Sequence, residues 1–171
     1  IPQNEIFITK STNEGSTKYV DNETSVSSEY GYYYRKSIGL FEMFQGKKIE
    51  VRSEINNHNV DLARILLNYP LACIMLQRNM FVLHASAVEF ENKTYLFAGQ
   101  SLCGKSTLAA CLIKNGGKLI TEDTAIIRIR EGKALIAPSY PMIKISTTVN
   151  EELGFSNLRG IDFDHDKNHR K

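Results

Sequence analysis

The sequence has little of what marks several large protein classes. Its three cysteines, Cys73, Cys103 and Cys111, are an odd number and lie in apolar or motif surroundings. We therefore expect neither a disulfide framework nor a zinc site, and we expect the protein to reside in the reducing cytoplasm. A net charge of only +2 predicts no nucleic-acid or membrane partner. Residues 1–30 lack the apolar stretch of a secretory signal, and the apolar run over 71–76 is too short to span a bilayer.

The remaining composition is that of a globular protein with a sizeable core. The chain has 171 residues, of which 42% are hydrophobic and 23% charged. Its pattern predicts a β-rich N-terminal segment over 1–58, with a polar mobile loop at about 11–29 and no strand inside it. Residues 59–171 predict an α/β domain whose charged end looks truncated at the C terminus.

Hydrophobic spacing predicts the elements of the second part. Val60, Ala63, Leu66 and Leu67 fit one helical face, and Pro70 predicts a break or a second helix over 71–78. We expect a single strand over 81–90, with His84 in its middle, that forms a hairpin with the next strand. The later predicted elements are strands over 94–98, 118–121, 125–129, 134–136 and 142–145, and a short helix within 148–158.

The most informative motif is G-Q-S-L-C-G-K-S over 99–106, which fits the Walker A pattern G-x-x-x-x-G-K-S of phosphate-binding loops (P-loops). It follows a predicted strand and precedes a predicted helix over 107–114, in which Leu108, Leu112 and Ile113 share one side. The alternative is a glycine-rich turn at a helix start. The motif predicts a nucleotide site made of Gly99, Gln100, Ser101, Leu102, Cys103, Gly104, Lys105, Ser106 and Thr107.

An acidic pair stands where such a loop needs a carboxylate for Mg²⁺. Glu122 and Asp123 directly follow the predicted strand over 118–121 and, with the Ser106 hydroxyl, form a candidate metal site. A carboxylate there can also accept a proton, although an acidic pair at a strand end is often only a solvated turn. His84 is a weaker candidate, because a single histidine in an apolar run is more typical of a core.

These motifs together resemble the catalytic domain of bacterial HPr kinase/phosphorylase, and the spacings between them agree without insertions or deletions. His84 stands fifteen residues before Gly99, and the acidic pair follows Lys105 by seventeen and eighteen residues, as in that family. The resemblance covers roughly residues 60–147. Leu102-Cys103 and Glu122 depart from the usual glycine-rich loop centre and first Asp, and the C-terminal signature loop of the phosphorylase reaction is not found.

The resemblance implies a fold, a reaction and roles for individual residues. The fold would be a P-loop domain with a mixed or antiparallel sheet, shared with phosphoenolpyruvate carboxykinase. The reaction would be ATP- and Mg²⁺-dependent phosphorylation of a serine. Lys105 would hold phosphate, Glu122 would lie at the metal, Asp123 would accept the serine proton, and His84 would lie near the transferred phosphate.

The segment over 137–144 bears on the acceptor. It is similar to the corresponding region of small HPr-kinase-like proteins from peptide natural-product clusters, some of which phosphorylate a lasso-peptide precursor. A loop whose path is set by its two prolines, leading into a strand, explains this segment equally well. We expect a peptide or small-protein serine as the acceptor, in an enzyme that forms a homo-oligomer. The alternatives are a kinase of a small molecule such as free serine, a catalytically silent nucleotide-sensing or peptide-binding module, and a structural domain without nucleotide.

Overall fold

The computed structural model describes residues 5–12, 18–53, 60–139 and 142–155, and within them it is a mixed α/β structure with three sheets and three helices. The N-terminal part contains five strands. The rest contains three helices and six further strands. In chain order the elements are β1 Phe7–Ser11, β2 Thr24–Val26, β3 Tyr30–Arg35, β4 Gly39–Phe44, β5 Lys48–Arg52, α1 Val60–Gln77, β6 Phe81–Leu83, β7 Ala85–Phe90, β8 Lys93–Ala98, α2 Lys105–Lys114, β9 Lys118–Thr121, β10 Ala125–Arg130, β11 Lys133–Ile136 and α3 Thr147–Leu153.

Helix α1 packs on the N-terminal sheet, whose strand order is β1-β5-β4-β3-β2. The sheet supplies Phe41, Met43 and Ile49 to the largest apolar cluster, and these side chains are almost fully buried. The helix supplies Leu62, Ile65, Cys73 and Ile74 to the same cluster. The core is therefore shared across the predicted boundary at 58/59, which itself lies outside the described residues, so the division into two domains stays a prediction.

The predicted break at Pro70 is wrong, and the predicted face of α1 holds at Leu66, which packs against the core, but not at Ala63 or Leu67, which are exposed. The helix runs without interruption through Pro70, and Leu67 on the expected face is about half exposed. The buried stripe instead lies at positions 62, 65, 73 and 74, on both sides of the proline. Because this stripe packs on the sheet over the whole helix, tertiary packing outweighs the lost backbone hydrogen bond.

Three other local predictions need correction. The expected loop over 11–29 contains strand β2, which pairs with β3. The strand expected over 142–145 is not formed, and those residues run without regular structure. In α2, Leu108 is exposed, whereas Ala109 and Ala110 are buried, because their small side chains allow the helix to lie close to β7. Residues 156–158 of the expected last helix lie outside the described residues.

The predicted single strand over 81–90 is in fact two strands in two different sheets. β6 pairs with β10 in the sheet β11-β10-β6, whereas β7 is the central strand of the sheet β8-β7-β9. His84 lies at the bend between them and is exposed, so its prediction as a mid-strand residue is wrong. The chain must turn here because each half satisfies its backbone hydrogen bonds with different partners.

The β8-β7-β9 sheet brings the distant motifs to one edge. β7 is antiparallel to both neighbours, and Ala85 at its start pairs with Ala98 at the end of β8. The end of β9 lies at the same edge, since Thr121 pairs with Ala87. The residues that follow β8 and β9, and the residue that precedes β7, therefore meet there. This hairpin topology agrees with the antiparallel sheet expected around the loop.

A β-bulge shapes the end of β9. Ala87 pairs with Thr121 but Val88 pairs with Leu119, which leaves Ile120 as the extra residue. The carbonyl of Ile120 accepts a hydrogen bond from the backbone N–H of Ser139 at 2.8 Å. Bulges commonly re-aim side chains next to functional sites. Here the bulge also fastens the segment after β11 beside the acidic pair.

Among the described residues, no helix combines the length and the apolar character needed to cross a membrane.

Candidate functional site

The loop over 99–106 curls through two left-handed residues. Gly104, at φ +91°, caps α2 without a side-chain hydrogen bond, and Leu102 has φ +67° with a side chain that is 96% exposed. A left-handed leucine is uncommon, and such strain concentrates at functional sites. Gly99 has φ +157°, a backbone conformation that L side chains rarely adopt, so a substitution would be strained here even if the Cys103 sulfur, 2.8 Å from an added Cβ, moved aside. The curled loop leaves the first N–H groups of α2 without helical partners, which suits an anion.

Lys105 is folded back over this loop. Its ammonium donates to the carbonyl oxygens of Gly99 at 3.0 Å and Gln100 at 2.7 Å, and only 7% of the residue is exposed. A cation held against these two backbone carbonyls adds positive charge where α2 begins. The loop can therefore attract a polyanion such as a chain of phosphates.

Ser106 and Glu122 are in direct contact. The Ser106 hydroxyl donates to Glu122 Oε1 at 2.7 Å, while Glu122 Oε2 is buried and has no hydrogen-bond partner. Burial raises the pKa of Glu122, and the neighbouring Asp123 charge adds to the rise. The hydrogen bond from Ser106, a backbone N–H contact from Lys144 and the charge of Lys144 oppose it. A buried carboxylate oxygen without a partner is costly, so this site favours an added cation.

The donor set fits Mg²⁺. A hydroxyl and a carboxylate are hard oxygen ligands, and the free Oε2 offers a second coordinating atom. Within the described ranges no three His, Cys, Asp or Glu side chains form a metal-binding group. Mg²⁺ commonly binds one or two protein oxygens and completes its shell with phosphate and water, so two protein ligands are sufficient.

We predict that Glu122→Gln stabilises the free protein. Glutamine can still accept from Ser106 but carries no buried charge, so the free energy of unfolding at pH 7.5 should rise by about 0.5–2 kcal/mol. Because burial raises the pKa of Glu122, the wild type loses stability as pH increases above the ordinary value of 4.5, and the variant does not share this loss. Urea unfolding of both proteins from pH 4 to 8 measures the difference, and a variant less stable at pH 7.5 would contradict the prediction.

Asp123 is held by two contacts of different kinds. Its carboxylate forms an ion pair with the Lys144 ammonium, in which the Lys144 and Asp123 side chains are 35% and 25% exposed. Its backbone oxygen lies 2.9 Å from Nδ1 of His84. Asp123 has φ +62°, a conformation that aspartate tolerates better than most residues. The turn thus fixes the direction of this carboxylate.

The contact with Asp123 shows which ring nitrogen of His84 carries a hydrogen. A carbonyl oxygen can only accept, so Nδ1 carries the hydrogen and Nε2 of the neutral ring is a free acceptor. Because His84 is exposed, this nitrogen can meet a ligand. The core role that a lone histidine suggests does not hold here.

Side chains beneath the acidic pair keep its turn closed. The Thr121 hydroxyl donates to the backbone oxygen of Thr124 at 2.8 Å, and the Thr124 N–H bonds the backbone oxygen of Glu122 at 2.7 Å. The Thr124 hydroxyl in turn donates to Oδ1 of Asn68 on α1 at 2.8 Å. The acidic turn is therefore anchored both to its own strand and to the helix of the N-terminal core.

The structure brings the predicted residues together as two linked sets at one sheet edge. Ser106 contacts Glu122, and His84 contacts Asp123. Ser101 is exposed on the loop and Thr107 is half-buried in the first turn of α2. Asn68 was not predicted as a residue of this site, because it carries no local signal in the sequence. Lys144 was predicted only as part of the segment over 137–144.

Comparisons of the chain with protein-family models, with curated proteins and with solved structures found no match in any of the three. The case for a function therefore depends on the geometry of this site and on the motif resemblance.

Proposed function

We propose that this protein is an ATP- and Mg²⁺-dependent serine kinase of the HPr-kinase-like type, acting in the cytoplasm on a peptide or small protein. The observation that carries the proposal is the 2.7 Å bond between Ser106 and Glu122. In P-loop enzymes the loop hydroxyl and a carboxylate from a neighbouring strand hold Mg²⁺ together. Here these two residues, sixteen positions apart in the chain, meet beside an orphaned carboxylate oxygen.

Each residue then has a defined task in phosphoryl transfer. The backbone N–H groups at the start of α2 and the Lys105 ammonium bind the β- and γ-phosphates. Ser106 and Glu122 would hold Mg²⁺, which supplies charge neutralisation at those phosphates. Asp123 orients the serine hydroxyl and accepts its proton while the γ-phosphoryl moves to its oxygen, and ADP leaves. His84 donates to or accepts from the transferred group through Nε2.

The sheet supports this assignment over a parallel-sheet kinase. The loop strand β8 and the acidic strand β9 are both antiparallel to β7, which separates them. A mixed or antiparallel sheet around the loop is what resemblance to HPr kinase/phosphorylase implies. A homo-oligomer is part of the same proposal.

Intact-mass spectrometry tests the function. The protein is incubated with ATP and Mg²⁺ and, in separate reactions, a serine-bearing peptide panel, HPr or free serine. We expect a gain of about 80 daltons, one phosphoryl group, on a peptide serine. Glu122→Gln is the loss-of-function control, and Glu131→Gln, an exposed acid in the β10–β11 turn, is its matched neutral change.

The outcomes separate the alternatives. Transfer to HPr or free serine would retain the phosphoryl chemistry and replace the acceptor. Tight ATP binding without transfer to any acceptor would contradict the kinase and favour a nucleotide-sensing or peptide-binding module.

A further inference from the structure

The Lys144 ammonium lies on the second residue of the acidic pair and not on the first. It pairs with the Asp123 carboxylate, whereas Glu122 Oε1 is occupied by Ser106. The side-chain partners of the two carboxylates therefore differ, the Lys144 ammonium for Asp123 and the Ser106 hydroxyl for Glu122, although the backbone of Lys144 also contacts Glu122. Sequence analysis assigns Asp123 both to the metal and to the acceptor hydroxyl, and one carboxylate cannot serve both tasks well at once.

The chain that leads to Lys144 is hydrogen-bonded to both strands that flank the acidic turn. Ser139 donates its N–H to the bulge carbonyl of Ile120, and Ala137 donates to the backbone oxygen of Ile126. The segment then leads to Ser146, whose hydroxyl caps α3 by accepting from the Val149 N–H. Lys144 therefore lies in the chain between two residues with defined backbone or capping contacts, Ser139 and Ser146.

We propose that Lys144 is a positioning residue that keeps the Asp123 carboxylate out of the metal's coordination shell. Glu122 and Ser106 then hold the cation alone, and Asp123 stays directed at the acceptor. The inference rests on the proposed function for its catalytic consequence. The contacts supply its physical basis: an ammonium competes directly with a cation for the same oxygen, and the half-buried pair is only partly screened by water.

Titration with Mn²⁺ alone tests the positioning step without any turnover. Binding is measured from the EPR signal of the free ion. Lys144→Met releases Asp123 to the metal, so Mn²⁺ should bind about 3–10-fold more tightly. Adding Asp123→Asn should remove that gain, whereas Lys144→Arg should bind as the wild type does. Lys133→Met, at an exposed lysine of β11, is the matched control and should change nothing.

Turnover provides the second readout. Lys144→Met should lower kcat at least about tenfold, with KM for ATP within about threefold, because the acceptor loses its oriented carboxylate. Lys144→Arg should restore most of kcat. Lys144→Met that folds as the wild type yet leaves both Mn²⁺ affinity and kcat unchanged would overturn the proposal.

Failure of this proposal and failure of the kinase proposal give different results. A tighter Mn²⁺ affinity that survives in the double variant, or no Mn²⁺ binding in any variant, would overturn the role of Lys144 even in an active kinase. If the wild type transfers no phosphoryl group, the kinase proposal fails, while an Mn²⁺ gain that depends on Asp123 would still support Lys144.

Discussion

We expect Lys105→Ala to abolish the proposed phosphoryl transfer. The ammonium is the only side-chain cation that the structure places within the loop over 99–106, where it contacts two backbone oxygens and is almost completely buried. In the transition state it would stabilise charge that develops on the transferring phosphate. Loss of one preorganised donor of this kind costs about 100–1,000-fold in kcat, and loss of a full charge should reach at least the upper end.

The measurement is the initial rate of phosphopeptide formation, with Lys114→Ala at the other end of α2 as the matched control. Lys114 is exposed and lies in the last helical turn, so its removal should leave the rate within about twofold. The carbonyls freed by Lys105→Ala belong to exposed residues that water can reach, so the variant should remain folded. A folded Lys105→Ala protein with more than a tenth of wild-type activity would contradict the assignment.

Asp123→Asn removes turnover but keeps nucleotide binding. Asparagine has the same shape and tolerates the left-handed backbone at this position, so the turn and the backbone contact with His84 persist. It cannot accept the serine proton, and general-base catalysis contributes about 100–10,000-fold. The expected result is a loss of that size in kcat, with KM for ATP within about threefold.

Steady-state kinetics with varied ATP separates the two parameters, and an ATP titration of the inactive variant verifies binding. Glu131→Gln again serves as the control for loss of one acid. Near-wild-type kcat in Asp123→Asn would remove Asp123 from the chemistry and leave His84 Nε2 as the remaining base at this edge. A loss of ATP binding equal to the loss of turnover would instead indicate a metal or structural role.

The strand, loop and helix around the motif could be predicted because their signals are local. β8, α2 and β9 lie within one or two residues of the expected limits, since β-branched runs, glycines and apolar spacing mark their ends. Ser106 and Glu122, which the sequence predicts at one metal site, also lie in contact, although the metal site itself stays a prediction. HPr-kinase-like activity itself stays a proposal.

Other features depend on partners far along the chain. The stretch around His84 contains no glycine or proline, so nothing local indicates that β6 and β7 belong to different sheets. The face of α1 is set by the N-terminal sheet, which overrides Pro70. The ion pair of Lys144 with Asp123 spans 21 positions, and neither this pair nor the bulge at Ile120 can be seen from periodicity.

The central claim is that the loop over 99–106 binds the phosphates of a nucleotide. Calorimetric titration of the full chain with ATP in the presence of Mg²⁺, compared with AMP, tests it most directly. We expect ATP to bind saturably and AMP to bind at least about tenfold more weakly. ATP binding should be lost when Mg²⁺ is removed, because the loop recognises the β- and γ-phosphates together with the metal. No binding of ATP at millimolar concentration, or equal binding of AMP, would contradict it.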